Sequence, residues 1–324
     1  MTEETHDSVT TADPPVWKTI GTDIGQTRNG TDAMRLAKLD WIVEQWPVQA
    51  TDPQSWKTVS AADHLANVRS DTRTLLGVVG KNYHPLHNAE LFEFLDTLVA
   101  DRLVAYHAAG SLRRGRRVWA LCRLPKQFHA ADDDVVYPYL LVTNCHDGSG
   151  PLQMIPATVR DVCSNSMNLT VGANAGLSIR HHPGLGQGLT EARRNLQLIA
   201  GRFERFQREL DALAATQIHS SRVRAYFDSV MPVTEGQREN GGRDKLLARL
   251  QENFESPVNS LPGVAGTAWA AFNAVSEWTD HQRTFRGRDD QARAESRLES
   301  IWFGGSHRIK RTAYDSALEL AGLN

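Results

Sequence analysis

The sequence predicts an α+β fold. A central antiparallel β-sheet of roughly four to six strands, built from β-hairpins, is covered by helices, and an all-helical subdomain follows it. Three observations carry this. The stretch YPYLLVTNCHDGSGPLQMIPATVRDVCSNSMNL from Tyr137 to Leu169 reads as strand, tight turn, strand and helix. Leu103 to Leu124 has the form of a hairpin. From Arg222 onward the apolar residues recur at helical spacing.

Each element follows in order. MTEETHDSVTTADPP is acidic and polar, with no basic n-region and no apolar h-region, so residues 1–15 read as a disordered tail and not a signal peptide. In TDAMRLAKLDWIVEQWP, Thr31 suits a helix cap, Met34, Leu36, Leu39, Trp41 and Ile42 follow, and Pro47 predicts the end of the element. Leu75 to Val79 is a short apolar strand. Gly80 to Pro85 is a turn, and His87 or Asn88 caps a helix whose Leu91, Phe94, Leu95 and Leu98 face the core.

In the hairpin from Leu103 to Leu124, GSLRRGRR connects two apolar strands. Four arginines, Arg113, Arg114, Arg116 and Arg117, crowd around Gly115. They repel one another unless an anion is close, and phosphate is the anion a guanidinium holds bidentately. Trp119 on the return strand is a core residue or a stacking platform for a base. Asp132, Asp133 and Asp134 lack the alternating spacers of a calcium loop and read as a solvated acidic loop.

In the central unit, Tyr139 to Val142 and Leu152 to Thr158 are buried strands. A short helix with Val159, Val162, Cys163 and Met167 on one side is predicted next. Polar residues gather where the chain changes direction: Asn144, His146, Asp147, Ser149, Arg160 and Asn165. Buried polar groups at such junctions are hydrogen-bonded or functional. Further on, adjacent His181 and His182 would point to opposite sides of a strand, and GLGQG lacks the Gly-Lys-Ser/Thr of a phosphate loop. Thr190 to Thr216 is a helix with Leu196, Ile199, Phe203, Phe206, Leu210 and Leu213 as one stripe and Arg193 and Arg194 elsewhere on its surface. That stripe docks on its own sheet or pairs with a second copy. The divisions are a core domain over 16–216 and a helical subdomain over 217–324.

Composition narrows the function classes. Hydrophobic residues make up 40% and charged residues 23% of 324, as in a soluble globular protein. No apolar run approaches the length of a membrane span. The net charge of -2 excludes a chain that is basic throughout, though arginines outnumber acids between Arg160 and Arg208. Three cysteines, Cys122, Cys145 and Cys163, are too few for a disulfide framework and point to a reduced, cytoplasmic protein. No motif requires a cofactor or a metal.

The blocks GVVGKNYHPLHNAELFEFLD, GSLRRGRRVWALCRLP, YLLVTNCHDGSGPLQMIPATVRDVCSNSMNL and GTAWAAFNAVSEWTDHQR resemble, in order, a phage/plasmid-like family catalogued as a domain of unknown function. The resemblance implies a setting on mobile elements and supplies no catalytic residues to carry over. Where the family reads valine-cysteine-asparagine, this chain has Val162-Cys163-Ser164. The strand run ending in an Asp-Gly-Ser turn and a helix is also similar, at the level of fold, to single-strand annealing recombinases.

The leading expectation is therefore nucleic-acid binding, with single-stranded DNA favoured, in recombination or replication. Arg113, Arg114, Arg116, Arg117, Arg160, Arg193 and Arg194 would hold phosphates, and a homo-oligomer could form through 190–216. Two other classes remain open. One is an enzyme using Cys163, His146 and Asp147. The other is a host-interaction or anti-defence protein without nucleic-acid affinity.

Overall fold

Strands β5 (Ala105–Leu112), β6 (Arg117–Arg123), β8 (Asp134–Cys145) and β9 (Leu152–Arg160) form the middle of an eight-stranded sheet in a computed structural model that describes residues 14–168, 176–181, 201–232 and 241–323. The order is β1 (Gly21–Asp23), β5, β6, β8, β9, β10 (Ser166–Asn168). β7 (Phe128–Ala131) pairs with β8, and β11 (Leu177–Ile179) pairs with β9. Every pairing is antiparallel.

The middle strands are continuous apolar runs because both sheet faces are covered. Val118, Ala120, Cys122, Leu140, Val142, Leu152 and Met154 point to one side, into a core shared with Leu91, Phe206, Trp269 and Tyr314. Trp119, Leu121, Tyr139, Leu141, Ile155 and Ala157 alternate to the other side, against Trp17, Leu298, Ile301 and Trp302. Trp119 packs edge-on against Trp302 at 5.2 Å between ring centroids and is fully buried. It is a core residue and not a base platform.

Helices supply the covers. α1 (Gly30–Leu36) and α2 (Asn88–Ala100) come before β5; the chain is helical again over 201–215 (α3), and then α4 (Ser220–Val230), α5 (Gly242–Phe254), α6 (Ala268–Glu277), α7 (Asp290–Phe303) and α8 (Gly305–Leu320) follow. The α+β class and the helical C-terminal part are as the sequence predicts. No helix among the described residues is long and apolar enough to cross a membrane.

Three local expectations change. The helix predicted from Thr31 to Trp46 is only α1, capped by Asn29, whose side chain accepts from the Asp32 N–H. Val43–Thr51 is β2, and Pro47 sits in this edge strand beside a register shift, where its missing N–H is tolerated. β2, β3 (Thr58–Arg69) and β4 (Leu75–Gly80) form a second, three-stranded sheet that the sequence reading did not foresee. Beyond Pro47 the β2–β3 hairpin is an arm exposed on both faces. The helix predicted after Val159 is instead a turn and strand β10, with Ser166 opposite Val159 and Met167 opposite Thr158. Ser164 adopts a left-handed φ of 55°, which stops a helix there.

Thr190, Arg193, Arg194, Leu196 and Ile199 lie outside the described residues. The described part of the stripe, Phe203, Phe206, Leu210 and Leu213, is buried in the chain's own core. Phe206 faces Trp269 and Tyr314, with ring centroids 6.5 and 6.4 Å away.

Candidate functional site

The β5–β6 connection turns through left-handed Arg113, Arg114 and Gly115, with φ of 51°, 61° and 100°. A Cβ at Gly115 would meet the Trp41 ring at 3.0 Å, so glycine is required by space as well as by φ. The His146 N–H donates to the Arg116 carbonyl at 2.7 Å and ties the tip to the end of β8. Arg69 Nη1 donates to the Arg114 carbonyl at 3.5 Å, while the Arg69 guanidinium lies 4.6 Å over Trp41.

The four arginines have different surroundings. Arg113 pairs with Glu299 on α7 at 2.5 Å, and its backbone N–H donates to Glu295. Arg117 lies 4.4 Å over the Phe303 ring. Arg114 and Arg116 are exposed and make no salt bridge among the described residues. Arg69 and Arg73 from the neighbouring sheet extend the same region but carry their own acids. Asp71 clamps Arg69 at 2.7 and 2.8 Å, and Glu44 pairs with Arg73 at 2.6 Å. The Arg69 guanidinium holds the Asp71 carboxyl below the usual carboxylate range.

Arg160 is corrected as a phosphate contact. It is 2% exposed and consumed inside the protein. Its Nε donates to Asp134 at 2.6 Å, Nη1 to Asn259 at 2.5 Å and Nη2 to the Val258 carbonyl at 2.7 Å. Trp269 Nε1 donates to the other Asp134 oxygen at 2.8 Å. Asp134 is thus fully buried and leaves the predicted solvated loop. A second buried pair lies across β10, where Lys310 Nζ donates to Asp280 at 2.7 Å and to the Ser166 carbonyl. Asp280 also accepts from the Ser166 N–H at 2.9 Å. A short π-helix, Trp278–Gln282, presents Asp280. Asn165 donates to the Asn273 carbonyl at 3.3 Å.

The polar junction therefore divides in two. Asn165 and Arg160 sit at one end of the β8–β9 ladder, and Asn144, His146, Asp147 and Ser149 at the other. At that other end Asn144 Nδ2 donates to the Leu86 carbonyl at 2.9 Å, and Asn67 Nδ2 to the His146 carbonyl at 2.8 Å. Asn88 Nδ2 donates to the Leu39 carbonyl at 2.9 Å, so its Oδ1 faces His146 Nε2 at 3.0 Å as an acceptor. The imidazole is then the Nε2–H tautomer. Burial, with His181 and His87 nearby, pushes His146 down to about 3. Asp147 accepts from the Ser149 N–H at 2.9 Å and closes the turn.

Cys163 and His146 are not brought together. The strand pair between them spans roughly 25 Å at about 3.3 Å per residue. Burial pushes the Cys163 thiol up to about 11, which keeps it protonated at neutral pH. The dyad that the enzyme reading needs is not assembled. Among the described residues, no group of three or more His, Cys, Asp or Glu side chains could hold a metal ion.

Sequence reasoning missed Lys310 and Asp280, though Lys310 carried a signal. It lies at helical spacing with Ala313, Tyr314 and Ala317, on an otherwise apolar face. Asn67 and Asn259, both fully buried, carried none.

An antiparallel sheet covered on both faces and tied to its helices by buried hydrogen bonds defines a mixed α+β protein. Residues 75–302 match the family described as Domain of unknown function (DUF932), and the chain belongs to that family. No solved structure matches it.

Proposed function

We propose that this chain binds nucleic acid, with single-stranded DNA as the favoured ligand, through the β5–β6 tip, in the recombination or replication of a mobile element. The observation that carries the reading is the pair Arg114 and Arg116, exposed on a tip of fixed backbone and lacking an acid among the described residues. Arg113 and Arg117 flank them. A guanidinium without a carboxylate partner is available to a phosphate oxygen at no cost of breaking an ion pair. The mobile-element setting rests on the family resemblance of the sequence blocks.

Fluorescence anisotropy with labelled single-stranded and duplex oligonucleotides across a salt series tests this. The single strand should bind with a steep salt slope. Replacing Arg114 and Arg116 together by Ala should reduce that slope by about 1.4, at about 0.7 per phosphate contact. Absence of binding at low salt, or an unchanged slope in the double variant, would remove the reading.

A second reading is favoured by the β2–β3 arm, where Trp56 is 80% and Val59 is 68% exposed. Large apolar side chains in such positions suit contact with a host protein. It requires tight association with that protein, lost in Trp56→Glu, and no affinity for nucleic acid.

A further inference from the structure

At the far end of the β5–β6 ladder from the arginine tip lies a cavity of about 610 Å³. The two places are separated by the length of β5, roughly 23 Å. The cavity forms where the turn after α2, the β6–β7 connection and the start of described α3 meet. Its floor includes Phe128 and Phe203, whose ring centroids are 5.9 Å apart and tilted by 30°. Leu103, 43% exposed, continues the apolar surface. Its rim carries Arg102, Lys126 and Arg208, all exposed, against one acid, Glu204. None of the three cations makes a salt bridge among the described residues. Their own helices and turns leave them facing one space from three separate segments of the chain.

Cations that converge on a cavity without partners repel each other, and an anion relieves that repulsion. The volume lies in the range of small-molecule sites, and the apolar floor gives a flat ring a place to bury. A bare inorganic ion would use the rim and leave the floor empty. We propose that this cavity binds a free mononucleotide, with the phosphate at Arg102, Lys126 and Arg208 and the base over Phe128 and Phe203. The site is independent of the tip, so either can exist without the other.

Isothermal titration of the full chain with adenosine monophosphate, inorganic phosphate and adenosine separates the contributions. Adenosine monophosphate should saturate one site and bind at least about tenfold tighter than either fragment. Arg208→Gln and Lys126→Gln should each weaken it by about tenfold. Both changes are at exposed positions, so the thermal midpoint should stay within about a degree of the parent's. Arg114→Ala should leave the titration unchanged. Inorganic phosphate binding as tightly as the nucleotide would mean an adventitious ion only, and would overturn the proposal. So would the lack of saturable binding, binding by both rim variants as tight as the parent's, or affinity confined to a phosphorylated oligonucleotide.

Discussion

Asp134 and Arg160 show how a residue's neighbours decide its role. In sequence, Asp134 is the last of three acids and Arg160 one of several arginines, which suggests solvent for both. Twenty-six positions apart, they meet on neighbouring strands, and Trp269 and Asn259 complete the set. Removing one partner leaves the other charge buried and alone, which costs about 3–5 kcal/mol. Asp134→Asn should lower the stability measured by urea denaturation by that amount. Arg160→Met should do likewise, and the double variant should cost less than the sum. A loss under about 1 kcal/mol for either single change would show that water reaches the pair. His146 offers a pH test at the same scale. Its folded value of about 3 lies below the ordinary 6.5, so between these limits only the unfolded chain takes up the proton. Stability is complete above about pH 6.5 and falls on acidification, by about 2 kcal/mol at pH 5 from this one group. Denaturation at pH 7 and pH 5 should show the difference, and His146→Asn should reduce it. Ser164 holds a left-handed φ of 55°, a region that asparagine tolerates best after glycine.

At the scale of elements, legibility followed burial. β5, β6, β8 and β9 are buried on both faces and stand out as apolar runs, so the hairpin and the central pair were readable. β2 and β3 were not, because the arm faces solvent on both sides, and the short alternations at Val48 to Thr51 and Thr58 to Ala61 mark no buried face. Pro47 reinforced the wrong reading, since an edge strand accommodates what a helix does not. The segment after Arg160 failed for a different reason. Val159, Val162, Cys163 and Met167 fit a helical period as well as a tight hairpin, and only the backbone at Ser164 separates the two. The approach of the small sheet to the large one depends on Gly77. A Cβ there would lie 2.5 Å from the Asp147 carbonyl oxygen and 2.6 Å from its Cα, both backbone atoms that cannot swing aside. Gly77→Ala should therefore part β4 from the Asp147–Gly148 turn and destabilise by about 1–3 kcal/mol. Loss of amide protection in β4, measured by hydrogen exchange, would locate the damage; unchanged protection would refute this account.

For the whole molecule, the core crosses position 216 without a break. Phe128 and Phe206 pack with Trp269 and Tyr314, and further hydrogen bonds from the two buried ion pairs tie the end of β9 to the Val258 carbonyl and the start of β10 to Asp280 and Lys310. The C-terminal helices therefore contribute to the cover on both faces of the sheet. The candidate site was legible only in part: the arginine tip was visible in the sequence, whereas the acids that claim Arg113 came from more than 180 positions away, on α7.

Cys122, Cys145 and Cys163 are all buried, one near the end of β6 between β5 and β8, one at the end of β8 and one in the turn after β9. Each thiol is silent towards an alkylating reagent until its own neighbourhood parts, so the chain carries three internal clocks. Single-cysteine versions, with the other two changed to Ala, should label at rates that report opening at each place separately. Cys122, surrounded by sheet, should keep time with global unfolding. A Cys163 rate faster than that of Cys122 would mean that the helices lift from the sheet before the sheet itself gives way, and equal rates would mean that the two come apart together.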